Sequence, residues 1–152
     1  MKLFLPLTMF FLLIMGCSAD KPDPELFFKN YIEYRFKNSP EKGILDKMSS
    51  GPYNVFINGL TDVELTSIDL TKSYQYVGLK MIYKKFSEDY CYMAYEIKYH
   101  SLKKNSKEIE YTQSVRKMAT LFFDGKDWKI HEVENIKTDL LILDELKIQK
   151  TI

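Results

Sequence analysis

Histidine and cysteine side chains offer the widest range of chemistry, and this chain of 152 residues contains two of each. A metal site needs such ligands at converging spacing, such as i+4 on a helix or i+2 on a strand. His100 and His131 have no second histidine or cysteine at those spacings. The sequence also contains no glycine-rich phosphate loop, nucleophile elbow or Cys-x-x-Cys pair. We therefore predict a protein that is not an enzyme and that holds no metal and no cofactor.

Cys91 lies in the apolar segment Tyr90-Cys91-Tyr92-Met93 and has no basic neighbour in the chain. A reactive thiolate needs a nearby positive charge, whereas a cysteine in apolar surroundings behaves as a small hydrophobic residue. The sequence predicts that Cys91 is a buried, inert thiol.

Cys17 lies at the end of an N-terminal apolar run. Lys2 precedes residues 3–15, which are apolar except at Thr8, and Gly16-Cys17-Ser18 follows them. A basic start, a short apolar stretch and a small residue before the cleavage point are typical of a secretory signal peptide. The run is shorter than the ~20 residues that a membrane-spanning helix requires.

The segment Ile14-Met15-Gly16-Cys17 resembles the lipobox of bacterial lipoproteins. The resemblance implies cleavage after residue 16 and acylation of Cys17 with palmitate-type chains, which would hold the protein at a membrane. The domain would then lie on the non-cytoplasmic side of the bacterial cell membrane or of the outer membrane, facing the periplasm or cell envelope. An ordinary cleaved signal peptide is the alternative. With Cys17 acylated, Cys91 would have no partner for an intrachain disulfide.

The charge balance argues against a nucleic-acid partner. The chain has 22 basic and 21 acidic residues. Removal of residues 1–16, which include Lys2, would leave equal numbers of basic and acidic residues. Binding to phosphate backbones requires a net basic surface.

Two helices are predicted at the start of the mature chain. Asp23-Pro24-Glu25 is typical of a helix start, and aromatic and aliphatic residues follow at helical spacing, which predicts a helix over 24–37. Ser39-Pro40-Glu41 predicts the start of a second short helix, and Gly51-Pro52 its end. Residues 53–59 carry no assignable pattern. The alternation in Val63-Glu64-Leu65-Thr66 predicts the change to strand.

Antiparallel strands are predicted for the rest of the chain. Apolar residues alternate over 79–83, 90–100 and 128–133, and residues 109–123 form a long run whose phase slips near Arg116-Lys117. Such a slip predicts a β-bulge. Residues 103–107 and Asp124-Gly125-Lys126-Asp127 predict hairpin turns. Residues 140–146 are predicted to form either a helix or an added edge strand.

The predicted fold class is α+β, with N-terminal helices packed on a curved antiparallel sheet. This element order and the segment from Leu121 to Ile130 resemble the nuclear transport factor 2-like fold, also called the SnoaL-like or cystatin-like cone. We accordingly divide the chain into a signal peptide (1–16), a lipidated cysteine and short tether (17–23), the cone domain (24–138) and a C-terminal extension (139–152).

The resemblance also implies residues for a binding site. Relatives similar to ketosteroid isomerase direct a carboxylate base and hydrogen-bond donors into the cone. Here the donors would be Tyr95, Tyr99 and Tyr111, which could face a small ligand. The base would be drawn from Asp69, Glu96 and His131. Because tyrosines at alternate strand positions usually pack their rings, the sequence favours packing over catalysis, and no catalytic residue is assigned.

The predicted function is a membrane-anchored, non-enzymatic protein-binding or scaffold domain in the bacterial envelope, as part of an envelope or secretion complex. Its partners would be the membrane, through Cys17, and an envelope protein, with a homo-oligomer left open. One alternative is a small-ligand carrier or isomerase-like enzyme that uses the cone interior. Another is an exclusion or immunity lipoprotein, which the gene neighbourhood would reveal.

Overall fold

The computed structural model describes residues 21–142, which form four helices followed by four strands. The predictions for residues 1–20, including acylation of Cys17, and for residues 143–152 lie outside this range. Within it, no helix is both long enough and apolar enough to cross a lipid bilayer. The elements in chain order are α1 (Pro24–Lys37), α2 (Lys42–Lys47), α3 (Gly51–Gly59), α4 (Asp62–Ser67), β1 (Tyr74–Ser87), β2 (Tyr90–Leu102), β3 (Ile109–Phe123) and β4 (Trp128–Ile142).

The prediction of a helix over 24–37 is confirmed by α1. The side chain of Asp23 accepts a hydrogen bond from the backbone N–H of Glu25, and Pro24 occupies the first helical position, where no N–H is needed. The helix buries Phe28 and Tyr31. Its amphipathic face therefore supplies one side of the core.

The prediction that Gly51-Pro52 ends a helix is wrong, because these residues begin α3. Proline fits the first turn of a helix as well as the region after its end. The strand predicted at Val63 is also wrong, because α4 covers this segment. Thr61 and Glu64 form a capping box, in which each side chain bonds to the backbone N–H of the other residue. That local cap outweighs an alternation of only four residues.

The strands form one antiparallel sheet in the order β1-β2-β3-β4. Each strand pairs with the next one in the chain, so the sheet is a simple meander without crossovers. A register shift does occur between β3 and β4 at Arg116 and Lys117, but the residue skipped there is Ile136 of β4, whereas β3 stays in continuous register with β2, so the extra residue is not in the strand where it was predicted. The predicted turn at 124–127 is confirmed, with the Asp124 carboxylate accepting hydrogen bonds from the backbone N–H groups of Lys126 and Asp127.

The predicted nuclear transport factor 2-like cone is wrong. Residues 21–142 form four short helices, of 14, 6, 9 and 6 residues, and a four-stranded meander in place of N-terminal helices packed on a curved cone. The resemblance depended on element order and one hairpin. Neither constrains how many helices form or how the strands connect. β4 also continues to Ile142, beyond the predicted domain boundary at residue 138.

The core lies between the helices and one face of the sheet, which we call the inner face. Residues at alternate positions of β2 and their partners on β3 point to this face. The ring of Phe28 on α1 meets that of Tyr95 on β2 edge to face, with 4.7 Å between centroids. The buried apolar residues are Phe28, Tyr31, Ile32, Leu45, Ile57, Cys91, Met93, Tyr95, Ile97, Val115, Ala119, Leu121, Trp128 and Ile130.

Candidate functional site

A cavity of about 390 Å³ lies between the helices and the inner face of the sheet. This volume is within the range of small-molecule sites, about 300–1,000 Å³. The cavity combines an apolar wall with a few cationic and phenolic groups. Its lining residues are Tyr31, Ile32, Arg35, Phe36, Tyr53, Ile68, Leu70, Tyr95, Ile97, Tyr99, Lys117 and Val133.

Helix and strand periodicity bring the polar lining residues together. Tyr31 and Arg35 are four residues apart on α1, so they lie on the same face of the helix. Tyr95 and Tyr99 are likewise on one face of β2, because successive strand residues alternate. Lys117 pairs with Tyr95 in the register between β2 and β3, which places it on the same face. The cavity is therefore built from elements that are distant in sequence.

Arg35 is held by three hydrogen bonds to neutral oxygen atoms. Its Nη1 donates to the hydroxyls of Tyr31 (3.3 Å) and Tyr53 (3.0 Å), and its Nη2 donates to the backbone carbonyl of Ile68 (3.0 Å). The two tyrosine hydroxyls also bond to each other. Burial, followed by the neighbouring Tyr53, raises the pKa of Tyr31, so the phenol stays neutral. Within residues 21–142, no carboxylate pairs with Arg35.

Lys117 is half-buried, and its side chain has neither a hydrogen bond nor an ion pair within the described range. Burial is the main cause that lowers the pKa of Lys117, and the positive charge of Arg35 lowers it further. Both effects disfavour the ammonium form. When this group is protonated, it has no counter-ion among residues 21–142.

Tyr95 is 2% exposed, and its hydroxyl has no hydrogen-bond partner among the residues described. Burial is the main cause that raises the pKa of Tyr95. Among the described residues, the enclosed hydroxyl that lacks a partner is that of Tyr34, whereas Tyr95 contributes to the cavity wall. Because the side chain of Tyr95 lines the cavity, a bound molecule could supply a partner for its hydroxyl.

The three tyrosines predicted as ligand-facing residues have different positions. Tyr95 and Tyr99 line the cavity, and the hydroxyl of Tyr99 donates a hydrogen bond to Oε1 of Gln113 at 2.7 Å. Tyr111 is half-buried opposite Ser101 of β2 and is not among the lining residues. The structure therefore brings two of the three together.

None of the three candidate bases lines the cavity. The carboxylate of Asp69 accepts hydrogen bonds from Thr71 and Ser39. Glu96 points to the opposite face of the sheet, where its Oε2 accepts a hydrogen bond from Nε of Arg116 at 3.1 Å. His131 packs edge to face on Tyr90 outside the cavity. The proton acceptor that an isomerase-like reaction would require is therefore not supplied by these residues.

Cys91 is buried, as predicted. Burial raises the pKa of its thiol to about 11, which keeps it protonated at neutral pH. Over the described range, no group of three His, Cys, Asp or Glu side chains converges in a way that could hold a metal ion.

Sequence reasoning missed Arg35 and Lys117. Arg35 follows Tyr31 by one helical turn, so a cation on the aromatic face of α1 was a visible signal. Lys117 lies two residues from Val115 and two from Ala119, which are both buried, so it takes the inner face by the regular alternation of β3. The phase slip expected near Arg116-Lys117 hid this alternation, because a lysine between apolar residues is not read as part of a buried face.

Comparisons of this chain with protein-family models, curated proteins and solved structures find no match.

Proposed function

We propose that this protein is a bacterial envelope lipoprotein, anchored through Cys17, whose domain binds a small molecule in the cavity between the helices and the sheet. The role is binding and not catalysis. The observation that carries the proposal is the cavity itself, which has an apolar wall and polar groups without partners, Lys117 and Tyr95. Pockets of this kind combine shape with a few placed polar groups.

The cavity can be tested by filling it. Val133 lines the cavity and is half-buried, so Val133→Phe would place a ring in the binding volume. Val77 on β1 is 45% exposed, and Val77→Phe is the matched control. The full chain, reconstituted in phosphatidylcholine nanodiscs, would be screened against a fragment library by saturation-transfer NMR, with empty nanodiscs as the blank.

We expect fragments that bind the wild type and Val77→Phe but lose binding to Val133→Phe, with unchanged circular dichroism. Equal binding to both variants would contradict a role for this cavity. So would the absence of any fragment that binds the wild type more than the empty nanodiscs.

The anchor is tested separately by mass spectrometry of the N-terminal peptide from the membrane fraction. We expect a peptide that begins at Cys17 and carries acyl chains, and an uncleaved precursor for Cys17→Ala. An unmodified thiol at Cys17, or an intact leader on a soluble product, would contradict the lipoprotein assignment.

A protein-binding role is the second candidate, and the outer face of the sheet, opposite the helices, favours it. Tyr83 and Met118 flank Ala94 in the strand register and are 56% and 41% exposed. Tyr92 lies on the same face. Adjacent exposed apolar side chains on an open sheet face are typical of interaction surfaces.

A photoreactive amino acid at position 92 tests this second role in living cells. We expect a discrete cross-linked protein from position 92 and none from position 104, an exposed residue in the β2–β3 turn. Recovery of a lone monomer without a cross-linked neighbour would count against a scaffold.

A further inference from the structure

We propose that the ligand is an organic acid whose carboxylate binds between Arg35 and Lys117 and whose apolar body packs against Ile32, Ile97 and Val133. This inference rests on the proposed function, because it names the ligand class of the same cavity.

The charges of the cavity favour an anionic ligand. Arg35 and Lys117 both line it, and no acidic residue is among the lining side chains. Cations removed from water require a compensating anion or a dense set of hydrogen bonds. Arg35 has neutral oxygen acceptors only, and Lys117 has none within residues 21–142. A bound anion would supply the missing charge to both.

The geometry of Arg35 also favours a carboxylate. Its bonds to Tyr31, Tyr53 and the carbonyl of Ile68 hold the guanidinium in place before any ligand arrives. A guanidinium has five N–H donors in a planar fork that matches a carboxylate, and these three bonds leave donors free. Preorganisation of this kind reduces the entropy lost on binding.

Tyr95 also favours an anionic ligand. Its side chain lines the cavity, its hydroxyl makes no hydrogen bond to a described residue, and it lies opposite Lys117 in the strand register. A carboxylate has two oxygens that accept several hydrogen bonds. One anion can therefore satisfy the ammonium and the phenol together.

The apolar wall separates an organic acid from a small inorganic anion. Ile32, Phe36, Ile68, Leu70, Ile97 and Val133 supply half of the lining side chains. A hydrated phosphate ion gains nothing from contact with them, whereas a hydrocarbon body gains about 25 cal/mol for each Å² buried. The combination favours a carboxylate attached to an apolar group.

The test uses probes that differ only in charge or in the apolar body. The full chain in phosphatidylcholine nanodiscs would be titrated with 3-phenylpropionate, with its neutral analogue 3-phenylpropan-1-ol and with inorganic phosphate. Binding would be followed by NMR chemical shifts against empty nanodiscs. Hexanoate serves as a second acid without a ring.

The matched variants are Lys117→Met and Arg116→Met. These positions are adjacent on β3 but point to opposite faces, since Lys117 lines the cavity and Arg116 pairs with Glu96 on the outer face. Loss of a hydrogen bond to a charged group corresponds to an affinity loss of about 10- to 100-fold. We expect this loss for both acids with Lys117→Met, near wild-type affinity with Arg116→Met, and retention in Lys117→Arg.

The inference would be overturned by failure of both acids to bind, by tighter binding of phosphate than of 3-phenylpropionate, or by equal loss of affinity in Lys117→Met and Arg116→Met. Binding of the neutral alcohol as tightly as the acid would also overturn it. If that alcohol binding is lost in Val133→Phe, the proposed small-molecule function survives and only the ligand class is wrong.

Discussion

The two ends of the inner face of the sheet differ in how completely they are filled. At one end, which we call the packed end, Cys91, Met93, Leu121, Trp128 and Ile130 are at most 2% exposed and contain almost no polar atoms. At the other, the cavity end, Tyr95, Tyr99 and Lys117 surround an open volume of about 390 Å³ with Arg35 and Tyr53 from the helices. The same strands thus form a close-packed core and a site with unpartnered groups.

Backbone contacts explain why the packed end is closed. The link between α2 and α3 pairs with β4, since the N–H of Ser50 donates to the carbonyl of Ile130 and the N–H of Ile130 donates to that of Met48. The indole Nε1 of Trp128 donates to the carbonyl of Pro22 at 2.6 Å. The cavity end is lined by side chains of the helices and the strands, which leave space between them.

The packed end therefore contributes mainly to the stability of the fold, and the cavity end contributes mainly to ligand binding. Natural sites commonly retain groups that reduce stability, because those groups are completed by the ligand. Substitutions at the packed end should therefore lower the free energy of unfolding, whereas removal of charge at the cavity end should raise it.

The largest effect is expected for Trp128→Ala at the packed end. Loss of this buried ring should reduce the free energy of unfolding by about 3–5 kcal/mol, because the substitution leaves a cavity. Equilibrium urea denaturation of the full chain in nanodiscs measures the change, and Ile136→Ala, at a position 56% exposed, is the control. A loss below ~1 kcal/mol would show that this end is not the main source of stability.

A medium effect is expected for Gly51→Ala, where the helix α3 begins beside β4. Gly51 has φ +51°, and an added Cβ would lie 2.2 Å from Cε1 of His131. The left-handed backbone and this clash should together cost about 1–3 kcal/mol. Gly43→Ala on α2 is the control, because its Cβ would meet nothing within 4 Å. Equal midpoints of urea unfolding for the two variants would contradict the close approach.

The smallest effect, and the one of opposite sign, is expected for Lys117→Met. Removal of an unpaired, half-buried ammonium should stabilise the ligand-free protein by roughly 1 kcal/mol at neutral pH. In the folded protein the pKa of Lys117 lies below its ordinary value of 10.5. As pH rises, the folded wild type therefore releases this proton before the unfolded chain does. The difference in free energy of unfolding between Lys117→Met and the wild type should decrease as pH rises from the folded-state pKa towards 10.5.

Urea midpoints of the two proteins at several pH values between 7 and about 10 check this expectation. Lys104→Met, in the exposed β2–β3 turn, is the control for loss of one positive charge. A wild type that is more stable than Lys117→Met without ligand would mean that the ammonium already has a favourable partner.

The sequence predicted those elements whose signals are local. The start of α1 follows from Asp23-Pro24, and the turn at 124–127 follows from Asp124-Gly125. The same reasoning failed at Val63 because four alternating residues fit a strand and a helix equally, whereas the capping box of Thr61 and Glu64 fixes a helix start. It failed at Gly51 because Gly-Pro occurs at both ends of helices.

The sequence by itself determined the local elements of the described domain: a helix at 24–37, antiparallel strands, two turns and a buried Cys91. Only the tertiary structure decided that Arg35, Tyr95 and Lys117 surround one cavity, and that Asp69, Glu96 and His131 do not. The physical reason is the separation along the chain over which each effect acts. Caps and periodicity act over a few neighbouring residues, whereas a cavity is the space that remains after distant elements have packed together.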